Sequence, residues 1–290
     1  MTRKAVIFGG SGFIGSHVAD LLSMDGYSVT IFDEVRSPWL RSDQNFITGD
    51  ITKKLDVDLV IEGASVVYNF AALADLNAAL KRPLDTININ ILGNAIILES
   101  CVKYKVERFI YASTVYVNSR DGGFYRCSKQ ASENYIDEYH KIYGLNYSIV
   151  RYGSLYGPRA GESNGLYRIV KSAIETGKVK YQGHPKSMRE YIHVQDAARA
   201  SVALLEEEFI GKTIVLTGQE PMLVSNVLEM IAEILGYQED AIEFVTDSYD
   251  GHYIKTSYAY EPRLGMKYIP PLHVDLGQGI LQLIKEIHGN

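Results

Sequence analysis

Two groups of residues in this chain could do chemistry together. The first is a run of glycines. Lys4–Gly10 reads KAVIFGG and Ser11–His17 reads SGFIGSH, so glycines 9, 12 and 15 directly follow an apolar run from Ala5 to Phe8. Phe13-Ile14 then opens a helix. A glycine turn between strand and helix lets backbone N–H groups approach a pyrophosphate, which the positive end of the helix faces. Glycines serve any tight turn, and it is this setting that gives the triplet meaning. The second group is Tyr125 and Lys129, four apart and on one helix face. A tyrosine beside a lysine ammonium and a cationic nicotinamide ring has its phenolate favoured. It can then take a proton from an alcohol near neutral pH. The lysine also suits a hydrogen bond to the nicotinamide ribose. The chain has 21 tyrosines, so pairs at this spacing arise by chance, and Tyr167 and Lys171 form one. That second pair follows no hydroxyl-ended strand. Tyr125 follows Ser113-Thr114, which close an apolar run.

Alternating elements must bring these groups together. Strand-like runs cover Ser28–Phe32, Asn45–Thr48, Ser65–Phe70, Arg108–Ala112 and Tyr147–Arg151. Between them, helical patterns run from Pro83 to about Lys105 and over Tyr125–Tyr143. Such alternation predicts an α/β fold with a parallel, doubly wound sheet of Rossmann type. The second half is less regular. It predicts helices at Leu166–Thr176, Val194–Glu208 (capped by Gln195-Asp196) and Ser225–Leu235 (capped by Ser225), and strands at Arg189–Val194 and Thr213–Leu216. We therefore expect a dinucleotide-binding domain over 1–155. A smaller, discontinuous substrate-binding region follows over 156–290, interleaved with returning sheet elements near 189–217.

Composition narrows the function. The chain has 290 residues, 46% hydrophobic and 22% charged, with a formal net charge of -6. An acidic chain lacks the basic face of a nucleic-acid binder. No apolar run reaches membrane-spanning length and no leader opens the sequence, so the expected setting is the cytoplasm. Cys101 and Cys127 form no framework and read as reduced thiols, Cys127 as a small packing residue. No His/Cys cluster has metal spacing, so no metal is expected.

The chain resembles the extended short-chain dehydrogenase/reductases, in their nucleotide-sugar (NAD-dependent) epimerase/dehydratase family. The likeness rests on GGSGFIGSH, Asp50-Ile51, Ala71-Ala72, Asn90-x-x-Gly93, Tyr125-x-x-x-Lys129, Arg151-Tyr152 leading into Tyr156-Gly157-Pro158, and REYIHVQD over Arg189–Asp196. It runs from Val6 to at least Ala200, with weaker echoes to the C-terminus. The resemblance implies that Gly9, Gly12, Phe13, Ile14 and Gly15 cradle the pyrophosphate. It implies that Asp33 accepts the adenosine-ribose hydroxyls, which favours NAD over NADP, although Arg36 stands close. Asp50 and Ile51 would frame the adenine, and Ala71, Ala72 and Leu73 would line the dinucleotide. Asn90 would hold the strand ends near the site, and Lys129 would bind the cofactor as well as serve catalysis. Arg189 would pair with the diphosphate of a nucleoside-diphosphate sugar, and Ser154 stands where many relatives have a substrate-contacting Asn.

Departures from the pattern matter too. The family hydroxyl after the fifth strand falls on Thr114 when aligned from the strand, with Ser113 in reserve, because alignment backward from Val115-Tyr116 fails by two residues and implies a local deletion. The segment 116–125 is short as well. Ala74 stands where some 4-epimerases have Lys. The dehydratase branch has an Asp-Glu pair after that hydroxyl residue, whereas here Val115-Tyr116 follows. The expected activity is therefore 4-epimerisation of a nucleotide sugar, in polysaccharide biosynthesis. The alternatives are a net 4-dehydrogenase or 4-ketoreductase, then a 4,6-dehydratase, then a non-catalytic dinucleotide-binding regulator. Apolar residues on more than one face of the two long helices (Ile89, Ile91, Ile96, Ile97, Tyr135, Ile136, Tyr139) predict a homodimer or a higher homo-oligomer through a four-helix bundle.

Overall fold

The structure, a computed structural model, describes residues 2–245. The remainder of the 156–290 region, with the C-terminal echoes of the family pattern, lies outside the described residues. In chain order the first half runs β1 (Lys4–Phe8), α1 (Phe13–Met24), β2 (Ser28–Asp33), β3 (Asn45–Thr48), α2 (Lys54–Ile61), β4 (Val66–Asn69) and α3 (Leu76–Lys81). It continues through α4 (Pro83–Thr86), a π-helical segment (Ile87–Gly93), α5 (Asn94–Lys103), β5 (Arg108–Thr114), α6 (Gly123–Tyr143) and β6 (Tyr147–Tyr152). The strands carry apolar residues buried on both sides, as a covered parallel sheet requires. The later strand β11 (Lys212–Leu216) joins them in a seven-stranded parallel sheet of order β11-β6-β5-β4-β1-β2-β3. The strand order reverses between β1 and β4, which opens a crevice at their carboxyl ends.

Helices cover both faces. Val57 of α2, Ile97 and Leu98 of α5 and Ile136 of α6 pack on one face. Val18, Ala19 and Leu22 of α1 pack on the other, beside Ala197 and Ala198 of α8 (Val194–Ala203). A smaller layer combines β7 (Ser154–Tyr156), α7 (Gly165–Thr176), β8 (Val179–Gln182), β9 (Met188–Arg189) and β10 (Tyr191–His193) with β12 (Met222–Leu223), α9 (Val224–Leu235) and β13 (Ile242–Val245). Three two-stranded ribbons build it: β7 with β10, β9 with β12 and β8 with β13. Ala173, Val179, Leu228 and Ile231 are its core.

Several local expectations are corrected. The helix expected from Pro83 is interrupted by the π-helical segment, which holds Asn90 and Gly93. A Cβ on Gly93 would stand 2.7 Å from the Ile51 side chain, so the helix lies against that residue. The strand expected over Arg189–Val194 is split at Glu190, because β9 pairs antiparallel with β12 while β10 pairs parallel with β7. Helix α8 ends at Ala203, and its cap is His193, whose Nδ1 accepts from the Gln195 N–H at 3.4 Å. Asp196, expected in the cap, instead pairs with Arg199. Helix α9 begins one residue early at Val224, and Ser225 hydrogen-bonds Asn226 rather than capping it. Cys127 is exposed rather than packed in the core, with the Arg126 guanidinium 3.7 Å from its Sγ. Of the residues expected on a partner face, Ile97 and Ile136 are core, Ile89, Ile96 and Tyr139 are partly buried against that core, and Tyr135 is exposed. Leu84, Ile87 and Leu92, which were not expected there, are exposed as well. Among the described residues, no helix is long and apolar enough to cross a membrane.

Candidate active site

The glycine turn is built for close approach. Gly9 has φ +72°, a conformation that disfavours side chains, and a Cβ there would stand 2.5 Å from the Ala71 nitrogen. A Cβ on Gly15 would stand 2.4 Å from the Gly9 carbonyl oxygen, so α1 starts hard against β1. The first cavity opens from this turn, lined by Gly9, Gly12, Asp33, Ile51, Ala71, Ala72 and Leu73. Asp33 ends β2, and its carboxylate accepts from the Ser11 N–H at 3.0 Å and the Val35 N–H at 3.3 Å. That fixes an acceptor where an adenosine ribose would lie. Arg36 is exposed, with its guanidinium 5.6 Å from the Phe46 ring centroid. Asp50 closes its own turn by accepting from the Thr52 N–H and hydroxyl, so Ile51 meets the cavity.

A second cavity adjoins the first through Gly9, Gly12, Phe70 and Ala72. It adds Phe13, Ile14, Gly15, Ser113, Thr114, Tyr125 and Lys129. Helix α6 delivers the last two, and its buried face carries Ser128, Lys129, Ser132 and Glu133. A helix that buries polar groups must give each a partner. Lys129 donates to the Ala112 carbonyl at 2.6 Å, with Nζ 4.6 Å from the Tyr111 ring centroid and 5.7 Å from that of Tyr125. Desolvation pulls Lys129 from 10.5 down to about 7, with the Glu133 carboxylate opposing the shift. Burial pushes the Tyr125 phenol well above 10.0. A cation beside that ring, from protonated Lys129 or a nicotinamide, lowers the cost of the phenolate.

Ser113 and Thr114 have separate roles in this geometry. Ser113 donates to Glu133, whose carboxylate also takes Arg151 through two nitrogens, at 2.6 and 3.1 Å. Thr114 lines both the second cavity and the next one, beside Tyr125. Glu133 was not singled out in the sequence, although Tyr125, Lys129 and Glu133 form a legible ladder of four-residue steps. Asn90 ties the wall together. Its Oδ1 accepts from the Leu73 N–H at 2.7 Å, and its Nδ2 donates to the Leu73 carbonyl and the Ser128 hydroxyl. Ser132 in turn donates to the Asn90 carbonyl at 2.8 Å, inside the π-helical segment, a distortion common at functional sites.

The third cavity shares the Thr114–Tyr125 wall and leads towards the smaller layer. Ser154, Arg168 and Arg189 line it. Arg189 is buried and donates to the Met188 carbonyl and the Tyr181 hydroxyl, so it is not the surface residue that an exposed ion pair would require. The control pair is different: Tyr167 is exposed and Lys171 is raised by Glu162, the opposite of Lys129.

A family model described as the NAD dependent epimerase/dehydratase family matches residues 5–216. The chain belongs to that family. It is 26% identical to a putative UDP-glucose 4-epimerase of Methanocaldococcus jannaschii, over 98% of each chain. The UDP-glucuronic acid 4-epimerase of Bacillus cereus, solved with UDP-glucuronic acid and NAD, superposes with a TM-score of 0.80 at 26% identity, covering 91% of this chain and 95% of that one. The dTDP-glucose 4,6-dehydratase DesIV of Streptomyces venezuelae shares the fold, with a TM-score of 0.81 at 22% identity and 99% and 98% coverage. The cofactor is NAD, and the glycine cradle and the Asp33 carboxylate fit it.

Two substitutions test this site. Tyr125→Phe keeps the packing ring and removes the phenolic hydroxyl. Turnover should fall by about 10²-fold or more while NAD affinity, read by calorimetry, stays near wild type. Lys129→Met tests the buried amine. Below about pH 7 the folded protein must hold a buried charge that the unfolded chain keeps in water, so wild-type stability rises with pH from about 7 to 10.5. In NAD-free protein, Lys129→Met should therefore raise the melting temperature most near about pH 6, with the gain shrinking towards about pH 10.

Proposed function

We propose that the protein is a nucleotide-sugar 4-epimerase. The observation that carries this reading is the Tyr125–Thr114 wall, shared by the cavity of the glycine turn and the cavity of Arg168 and Arg189. A sugar whose diphosphate lies at the arginines would present its ring to Tyr125. Bound NAD supplies reversible hydride acceptance at carbon 4 of that ring. Tyr125 takes the proton of the 4-hydroxyl, and Thr114 holds that hydroxyl by a hydrogen bond. Lys129 orients the nicotinamide ribose and keeps positive charge beside the phenolate. Return of the hydrogen to the opposite face of the 4-keto sugar gives the epimer.

Elimination of water is disfavoured, because Val115-Tyr116 follows Thr114 where a dehydratase would need an acid and a base. Glu162 is paired with Lys171 at the surface, and Asp75 on the Tyr125 wall is one carboxylate where the elimination needs an acid and a base. Leu84, Ile87, Leu92 and Tyr135 give the face through which we propose that a second copy docks, in a cytoplasmic homodimer.

Mass spectrometry of the product, with nuclear magnetic resonance for its configuration, separates the activities. A 4-epimerase returns a product of unchanged mass with carbon 4 inverted. A change of two hydrogens with stoichiometric cofactor turnover would instead mean a dehydrogenase or ketoreductase. A product lighter by one water would mean a dehydratase.

A further inference from the structure

The wall between the second and third cavities carries a charge that the proposed reaction does not use. Thr114, Tyr125, Ser163, Asn164 and Asp75 line both cavities. Among the described residues of that shared wall, Asp75 is the charged one. It sits at the N-terminus of α3, where one carboxylate oxygen accepts from the Ala78 N–H at 2.8 Å. That bond fixes the side chain and leaves its second oxygen for a neighbour. The other polar side chains of the wall are neutral, and Asn164 is held in place: it accepts from the Tyr167 N–H and donates to the Leu155 carbonyl.

The charges of the third cavity are therefore separated along its length. Arg168 and Arg189 line it but not the second cavity, and Arg168 donates to a neutral carbonyl, that of Glu162. The carboxylate lies on the wall shared with the second cavity, which Tyr125 also lines. Lys129 is on the cofactor side, its Nζ on the Ala112 carbonyl. A ligand matched to this field has an anionic head and a sugar ring without negative charge. A uronic acid brings a carboxylate to the ring, towards Asp75, and the like charges repel. Neutral hexoses bring hydroxyls that can donate to the second Asp75 oxygen.

Resting on the epimerase reading, we infer that Asp75 is a specificity residue: it selects nucleotide sugars with an uncharged or amino-bearing ring and rejects nucleotide uronates. The helix cap is the ordinary role of an Asp at this position, and Asn would serve it equally well. Asp75→Asn therefore separates charge from capping.

The test is calorimetry of the NAD-loaded enzyme with UDP, UDP-glucose and UDP-glucuronate. Wild type should bind UDP-glucose tighter than UDP-glucuronate by about tenfold or more, and Asp75→Asn should close most of that gap. Equal wild-type affinities, or a gap that Asp75→Asn leaves intact, would overturn the inference while leaving the nucleotide-sugar reading in place. Failure of all three ligands to bind would overturn both.

Discussion

Lys129 is an amine taken almost wholly out of water, with 2% of its surface exposed. A buried ammonium is costly unless partners are fixed around it. Here they come from separate elements: the Ala112 carbonyl and Tyr111 ring from β5, and Glu133 from the next turn of α6. Glu133 is itself held by Ser113 of β5 and Arg151 of β6. The lysine thus has its place only when β5, β6 and α6 are assembled. That same assembly sets Tyr125 and Thr114 on one wall. The placement of these side chains follows from satisfying an amine that the fold has buried.

Asn90 does the corresponding work on the other side. One amide group bonds the backbone of Leu73 and the hydroxyl of Ser128, and so joins the loop after β4 to α6. The loop carries the cofactor-facing Ala71 and Ala72 and runs on to Asp75. The helix carries Tyr125 and Lys129. The glycine-turn cavity, Tyr125 and Asp75 therefore share one rigid frame, and if Tyr125 reacts as proposed, small displacements of that frame would cost catalysis dearly.

What was legible in the sequence follows from what is local. The strand, glycine turn and helix from Lys4 to Met24 are set by neighbours in sequence, and their pattern declares them. The sheet strands are short apolar runs with clear stops. The π-helical segment was not legible, because its partners, Ser132 and Ile51, are distant in the chain. Helix α2 was missed because it exposes Leu55 and Leu59, which blurs its apolar face. The His193 cap of α8 and the split of β9 from β10 depend on strand pairing across the smaller layer. In the site, Tyr125 and Lys129 were readable from spacing and chemistry. Glu133 and Asp75 were not singled out, since an acid on a helix or at a cap usually faces solvent; only the assembled fold brings Glu133 to Ser113 and Arg151 and sets Asp75 on a cavity wall.

The most direct measurement of the central claim follows the hydrogen at carbon 4. The NAD-loaded enzyme is given UDP-glucose carrying deuterium at that carbon, in ordinary water, and the product is read by nuclear magnetic resonance and mass spectrometry. If Tyr125 removes only the hydroxyl proton and the carbon-bound hydrogen leaves and returns within the site, the epimer keeps its deuterium at carbon 4. Loss of the deuterium to solvent during inversion would contradict this. It would mean that a base removes the carbon-bound hydrogen as a proton, which is not the role in which Tyr125, Lys129 and Thr114 are placed here.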